Sequence, residues 1–217
     1  MDETSEPPSA LPTALGAERL VFFTDAVVAI AMTLLVLPLM ESVTEAAAEG
    51  GDTAEFVSSH ANQLFSFGLS FAIIAVFWQS HHRVWERVRR LGGPLFLLNT
   101  LWLLGIVWLP VATAMVGQME TDRLQATLYI GAMLLLSVTL TLVSRHLLTH
   151  PDLAVEGALP GVRRGVRVTT VLSVLFTVAL LVVLAFPGVG YSALFVLFLT
   201  QPLSTLLRRR AEGPQTA

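Results

Sequence analysis

An aspartate and a threonine stand inside the first long apolar stretch of the chain, with an arginine just before them. The segment reads Glu18-Arg19-Leu-Val-Phe-Phe23-Thr24-Asp25-Ala, then Val-Val-Ala-Ile30-Ala-Met-Thr33-Leu34-Leu-Val-Leu37-Pro38. On a helix, Asp25 lies roughly 9 Å beyond Arg19. A carboxylate inside a membrane helix costs about 2.5–3.5 kcal/mol, so it should face protein or water and find a partner. Arg19 sits about 120° round the helix from Asp25, whereas good pairs lie three or four residues apart. Both groups are therefore expected to reach neighbouring helices, and His81, His82 and Asn99 are the candidates on the same side. Two chemistries stand open for this set: a polar clamp between helices, or an ion-binding or proton-relaying site.

Another face of the same helix has a different character. Ile30, Thr33, Leu34 and Leu37 fall within about 100° of one another, and Asp25 lies about 140° from Ile30. A mostly apolar stripe with one hydroxyl suits a helix that lines a narrow pore and gates by dewetting. An ordinary helix–helix contact has the same pattern.

Other chemistry-bearing residues lead less far. His146 and His150 are four apart, and imidazole is a common ligand for zinc and iron, but the pair reads more simply as a helix end favoured by its dipole. Gly188-Val189-Gly190-Tyr191-Ser192 looks like a carbonyl-lined filter loop. It lacks the leading threonine and the closing glycine, so it reads as a turn. There is no Gly-x-Ser-x-Gly elbow and no His-Glu-x-x-His helix, which leaves hydrolase chemistry without a motif.

The elements that must hold these residues follow from composition. Hydrophobic residues make up 54% of the 217, charged residues 13%, and mean hydropathy is +0.70. Soluble domains carry about 25% charged residues, so the chain is expected to fold in lipid as helices. Cysteine is absent, which excludes disulfides and thiolate ligands, and the net charge of −3 argues against a nucleic-acid partner. Six stretches are long enough to span: roughly 19–40, 56–80, 94–117, 124–148, 166–186 and 189–207. Residues 1–17 read as a disordered tail without the basic start of a signal peptide, 18–207 as the membrane domain, and 208–217 as a second, basic tail.

Charge orients the spans. All 13 basic residues are arginine. With six spans, twelve of them fall on one side: Arg19, the Arg83–Arg90 connection, Arg145 to Arg167 and Arg208–Arg210. Arg123 alone falls on the other, beside an acidic connection over 41–55. The bias places both termini in the cytoplasm. The acidic connection reads either as a cation-concentrating vestibule or as a solvated loop.

The string Arg19-x-x-x-Phe23-Thr24-Asp25 resembles the R-x-x-x-F-S-D signature in the first helix of bacterial relatives of the animal lysosomal potassium channel. Phe77-Trp78-x-x-His81-His82-Arg83 and Leu98-Asn99 with Leu109-Pro110 and Thr113 resemble the same family, in the same order, over residues 18–117. Thr24 departs from the usual serine, keeping the hydroxyl and adding a β-branch. The resemblance implies an all-α, six-span subunit that assembles as a homotetramer with first helices lining a central pore. It further implies a constriction at Ile30, a threonine layer at Thr33 and a further apolar layer at Leu37. Arg19, Asp25, His81, His82 and Asn99 carry over as an interhelical network.

The expectation is thus a passive, modestly selective potassium channel in a bacterial plasma membrane. It would have no enzyme activity, cofactor or resident metal, and its partners would be lipid, potassium ions and further copies of itself. The rival readings are a proton- or cation-coupled transporter using Asp25 and the histidines, and a membrane metalloenzyme.

Overall fold

Lipid cannot hydrogen-bond a free backbone, so every spanning segment must satisfy its own amides, and the chain does so as helices. A computed structural model describes residues 13–120 and 122–186. Its helices are α1 (Thr13–Leu34), α2 (Leu37–Ala48), α3 (Thr53–Ser59), α4 (Ala61–Trp85), α5 (Gly93–Gln118), α6 (Arg123–Thr149) and α7 (Leu159–Ala185), with a single 3₁₀ turn at Pro151–Leu153. Among the described residues, five segments are long and apolar enough to cross a membrane: Gly16–Ala48, which joins α1 to α2, and α4, α5, α6 and α7. The expected sixth span at 189–207, the Gly188–Ser192 turn and Arg208–Arg210 lie outside the described residues.

The spans alternate in direction between an arginine-rich end and an acidic end. Because apolar burial does not drive helices together in lipid, packing and interhelical hydrogen bonds must. Helix α6 is the hub: it packs most extensively on α7 and α5, and it is the most buried of the five spans. Tyr129, Ile130, Met133, Leu136, Leu140, Val143 and Leu147 recur along it at helical spacing, all buried. Gly105 of α5 admits the closest approach, since a Cβ there would stand 2.8 Å from Leu136 Cδ2. In contrast, α1 is the least buried span and rests on α5 and α4 by one face: Ala17, Thr24, Val28, Ala31 and Leu35.

Several boundaries differ from those expected, each for a local reason. Helix α1 begins at Thr13, so residues 13–17 are helical rather than tail. It breaks after Leu34 because Pro38 lacks an N–H and its ring crowds the carbonyl four residues back. The chain tightens there through Val36 N to Thr33 O (3.2 Å) and restarts as α2. The acidic connection over 41–55 is largely helix, because Glu and Ala are strong helix formers. It continues α2 to Ala48 and resumes at α3, where Asp52 accepts from Glu55 N at 2.8 Å as an N-cap. The second span is therefore displaced to 61–85, and His81 and His82 still lie near its end, with His82 in the last turn of α4. The fifth starts at Leu159, seven residues early, with Pro160 in its first turn. The third and fourth spans agree with expectation to within a residue.

At the arginine-rich end the α4–α5 and α6–α7 connections are tied by an antiparallel bridge between Val88 and Ala154. Arg89 N donates to Leu153 O (2.7 Å) and Val155 N to Arg87 O (2.9 Å).

Candidate functional site

Thr24, Asn99 and His81 meet where α1, α5 and α4 cross, and all three are buried. Thr24 Oγ1 donates to Leu20 O at 2.8 Å, one turn back on its own helix. A hydroxyl has one proton, so the same oxygen must accept from Asn99 Nδ2 at 2.9 Å. That fixes the Asn99 amide: Oδ1 faces His81, and His81 Nε2 donates to it at 2.7 Å. His81 is thereby assigned the Nε2–H tautomer, which leaves Nδ1 as an acceptor without a partner among the described residues. Its ring lies between those of Trp102 (4.1 Å between centroids) and Trp85 (5.5 Å).

Asp25, the next residue along, takes a different partner. Trp78 Nε1 donates to Asp25 Oδ1 at 2.7 Å across the α1–α4 contact. Trp78 in turn packs at 5.9 Å on the His82 ring, and His82 Nε2 pairs with Glu86 Oε1 at 3.2 Å. Sequence reasoning named His81, His82 and Asn99 for Asp25 and missed Trp78, although a buried indole N–H usually finds an acceptor.

The remaining candidates do not converge on this cluster. Arg19 and Phe23 are exposed, and Arg19 makes no hydrogen bond or ion pair with a described residue. Ile30, Thr33, Leu34 and Leu37 are all exposed too, Ile30 by 58%. Thr33 Oγ1 turns back to donate to Ile30 O (2.7 Å), so its hydroxyl proton is used within α1. Ile30 and Thr33 lie about 120° and 180° round α1 from Thr24. Helix α1 is thus held by a polar face and presents an unpaired, nearly apolar face outward.

A second polar cluster escaped the sequence reading. Thr113 Oγ1 donates to Leu109 O (2.7 Å), so it accepts from Ser70 Oγ (2.8 Å), and Ser70 Oγ meets Tyr129 OH (2.9 Å), joining α5, α4 and α6. Three lone hydroxyls on three helices carry no spacing signal. His146 and His150 stack at 4.2 Å at the end of α6. Among the described residues no three His, Cys, Asp or Glu side chains gather as metal ligands would.

The chain has relatives among known proteins. The sequence model described as "Endosomal/lysosomal potassium channel TMEM175" matches residues 19–110. A potassium channel of Chamaesiphon minutus is 30% identical over 143 residues, covering 64% of this chain and 70% of that protein. The chain belongs to the TMEM175 family. This family is one of ion channels, not of enzymes. A Streptomyces collinus potassium channel is 33% identical over 106 residues, 48% of this chain and 50% of that one. A bovine TMEM175, named a proton channel, is 36% identical over 104 residues, of which the chain spans only 22% of the bovine length. The crystal structure of the lysosomal potassium-selective TMEM175 homolog from Chamaesiphon minutus superposes with a TM-score of 0.68 at 25% identity. It covers 88% of this chain and 98% of that one. MtTMEM175, at 17% identity and a TM-score of 0.66, shares the fold. Every residue of the Thr24–Asn99–His81 clamp and of the Asp25–Trp78 pair lies inside the stretch that matches the TMEM175 model, whereas Tyr129 lies beyond it.

Proposed function

We propose that the protein is a potassium-permeable channel of a bacterial plasma membrane, built as a homotetramer with its termini in the cytoplasm and its first helices around a shared axis. The reading is carried by one observation: α1 is anchored through Thr24 while Ile30, Thr33, Leu34 and Leu37 stay uncovered on the single subunit. Uncovered apolar side chains near a helix break are what a ring of identical helices would bring together. The naming of the Chamaesiphon and Streptomyces relatives as potassium channels supports the permeant ion.

Ile30 is the constriction in this arrangement, with Thr33 and Leu37 as further layers. A ring of isoleucine side chains offers an ion no replacement for its hydration shell. Potassium, the more weakly hydrated ion, loses less than sodium on passing it, which gives graded selectivity. The Asp25–Trp78 pair and the Thr24–Asn99–His81 clamp set the rotation of α1 and so the diameter of that ring. Arg19, exposed at the arginine-rich end of the same helix, would meet a neighbouring subunit in such a ring.

The test is potassium flux from liposomes holding the purified protein, compared with Ile30→Asn under one gradient. Gradient-driven potassium flux, with a larger sodium share in Ile30→Asn, is expected. Absence of flux from correctly inserted protein, or flux that saturates and tracks a proton gradient, would overturn the channel reading. The name of the bovine relative makes proton current the second quantity to record in the same vesicles.

A further inference from the structure

Helix α2 is attached sparsely. It follows the break at Leu35–Val36, and its buried residues are only Leu39 and Ser42. Among the described residues, one side-chain hydrogen bond ties it to another element: Gln63 Nε2 of α4 donates to Pro38 O at 3.1 Å. The same carbonyl accepts Ser42 Oγ at 3.1 Å from within α2. Gln63 is 6% exposed, an unusual burial for a long amide near the acidic end of the bundle. Its stem is closely packed there. Gly117 of α5 closes on it so tightly that a Cβ at 117 would meet Gln63 Cγ at 3.2 Å and Gln63 Cα at 3.3 Å.

We propose that Gln63 is a positioning residue that latches α2 and thereby fixes how far Leu37 projects into the conducting path beyond Ile30. The inference rests on the channel reading for the word path, while the latch itself is a statement about one subunit. Pro38 supplies the reason a latch is needed. A proline at the start of α2 removes the hydrogen bond that would have continued α1, leaving a joint between the two helices. A joint without a brace samples a range of angles, and Leu37 sits on the joint. Gln63 braces it through the backbone of Pro38, so the hold does not depend on any α2 side chain. Gly117, lacking a side chain, leaves room for the Gln63 stem between α4 and α5 along its present course. Leu37 itself stays 48% exposed, free to face the axis.

The chain has no cysteine, so Leu37→Cys can be labelled alone by a membrane-impermeant cationic thiosulfonate. In this background Gln63→Met keeps the stem and removes the donor. Gly117→Ala leaves the donor and displaces its stem. Ser42→Ala removes the other hydroxyl bound to the same carbonyl and leaves the latch in place. Labelling is expected to change by about three- to tenfold in Gln63→Met, the population shift available from one lost hydrogen bond. Gly117→Ala should match it, the two together should add nothing, and Ser42→Ala should label like the parent. In liposomes the first two should raise the sodium share of the flux while potassium flux persists. Parental labelling and ion preference in both variants would overturn the proposal. If either variant fails to fold, the other still reads the latch. Labelling that shifts as expected in protein without any potassium flux would keep the latch and remove the channel reading.

Discussion

Thr24 occupies a position where hydroxyl geometry decides everything. Its proton goes to Leu20 O and its lone pair to Asn99. Serine would serve as well, but valine, the same shape without the oxygen, would orphan the Asn99 amide. Thr24→Val is expected to cost about 1 kcal/mol, in the range of interhelical hydrogen bonds in membranes, and Thr24→Ser nearly nothing. Thermal unfolding in detergent should then show Asn99→Leu costing less on the Thr24→Val background than on the parent, since residues in one network do not add. Equal costs on both backgrounds would show that the bond carries no coupling. At this scale the sequence was informative about which residues were polar and out of place, and less so about pairing. Asp25 needed a partner by its type alone, but Trp78 was identifiable only once α1 and α4 lay side by side.

Among the elements, the α5–α6 contact is the one most sensitive to volume. Leu136 is fully buried and its Cδ2 fills the notch at Gly105. Gly105→Ala forces that side chain or the helix to shift, and overpacking of this kind costs about 1–3 kcal/mol. Pairing it with Leu136→Ala should recover part of the loss, because the smaller residue clears the space; a still lower melting temperature for the pair would contradict this account. The four helices with uninterrupted apolar runs, α4 to α7, were readable from hydropathy to within several residues. The α1–α2 break and the helical course of 41–48 were not. Hydropathy averages over a window and cannot see a proline joint, and Glu41, Glu45 and Glu49 resemble a loop in charge while sharing helical spacing.

Taken whole, the molecule is polarised. Arg83, Arg87, Arg89 and Arg90, together with Arg163, Arg164 and Arg167, collect at one end, while Glu41, Glu45, Glu49 and Glu55 collect at the other. The positive-inside bias turns this into a prediction of sidedness. In intact cells, Glu45→Cys should react with an impermeant thiol reagent and Glu156→Cys should react only after the membrane is opened. The reverse pattern would invert the topology. Subunit number was legible only through family resemblance, since no residue in the chain counts copies. The exposed Ile30 stripe is a face of α1 that no described residue covers, and it carries no count of copies.

The clamp has a consequence for the order of events at the ribosome. Thr24 and Asp25 leave the exit tunnel first, but Asn99 lies 75 residues downstream and Trp78 lies 53 downstream. At about 5–20 residues per second, the aspartate waits roughly 3–10 s for its indole, and the threonine somewhat longer for its amide. Throughout that interval α1 must remain inserted with an unmatched carboxylate, held by the apolar length of the segment it opens, Gly16–Ala48, the second most hydropathic of the five described spans. The oiliness of the first helix thus serves a newborn chain as much as a mature one: it keeps α1 in the bilayer until the partners of its polar residues have been made.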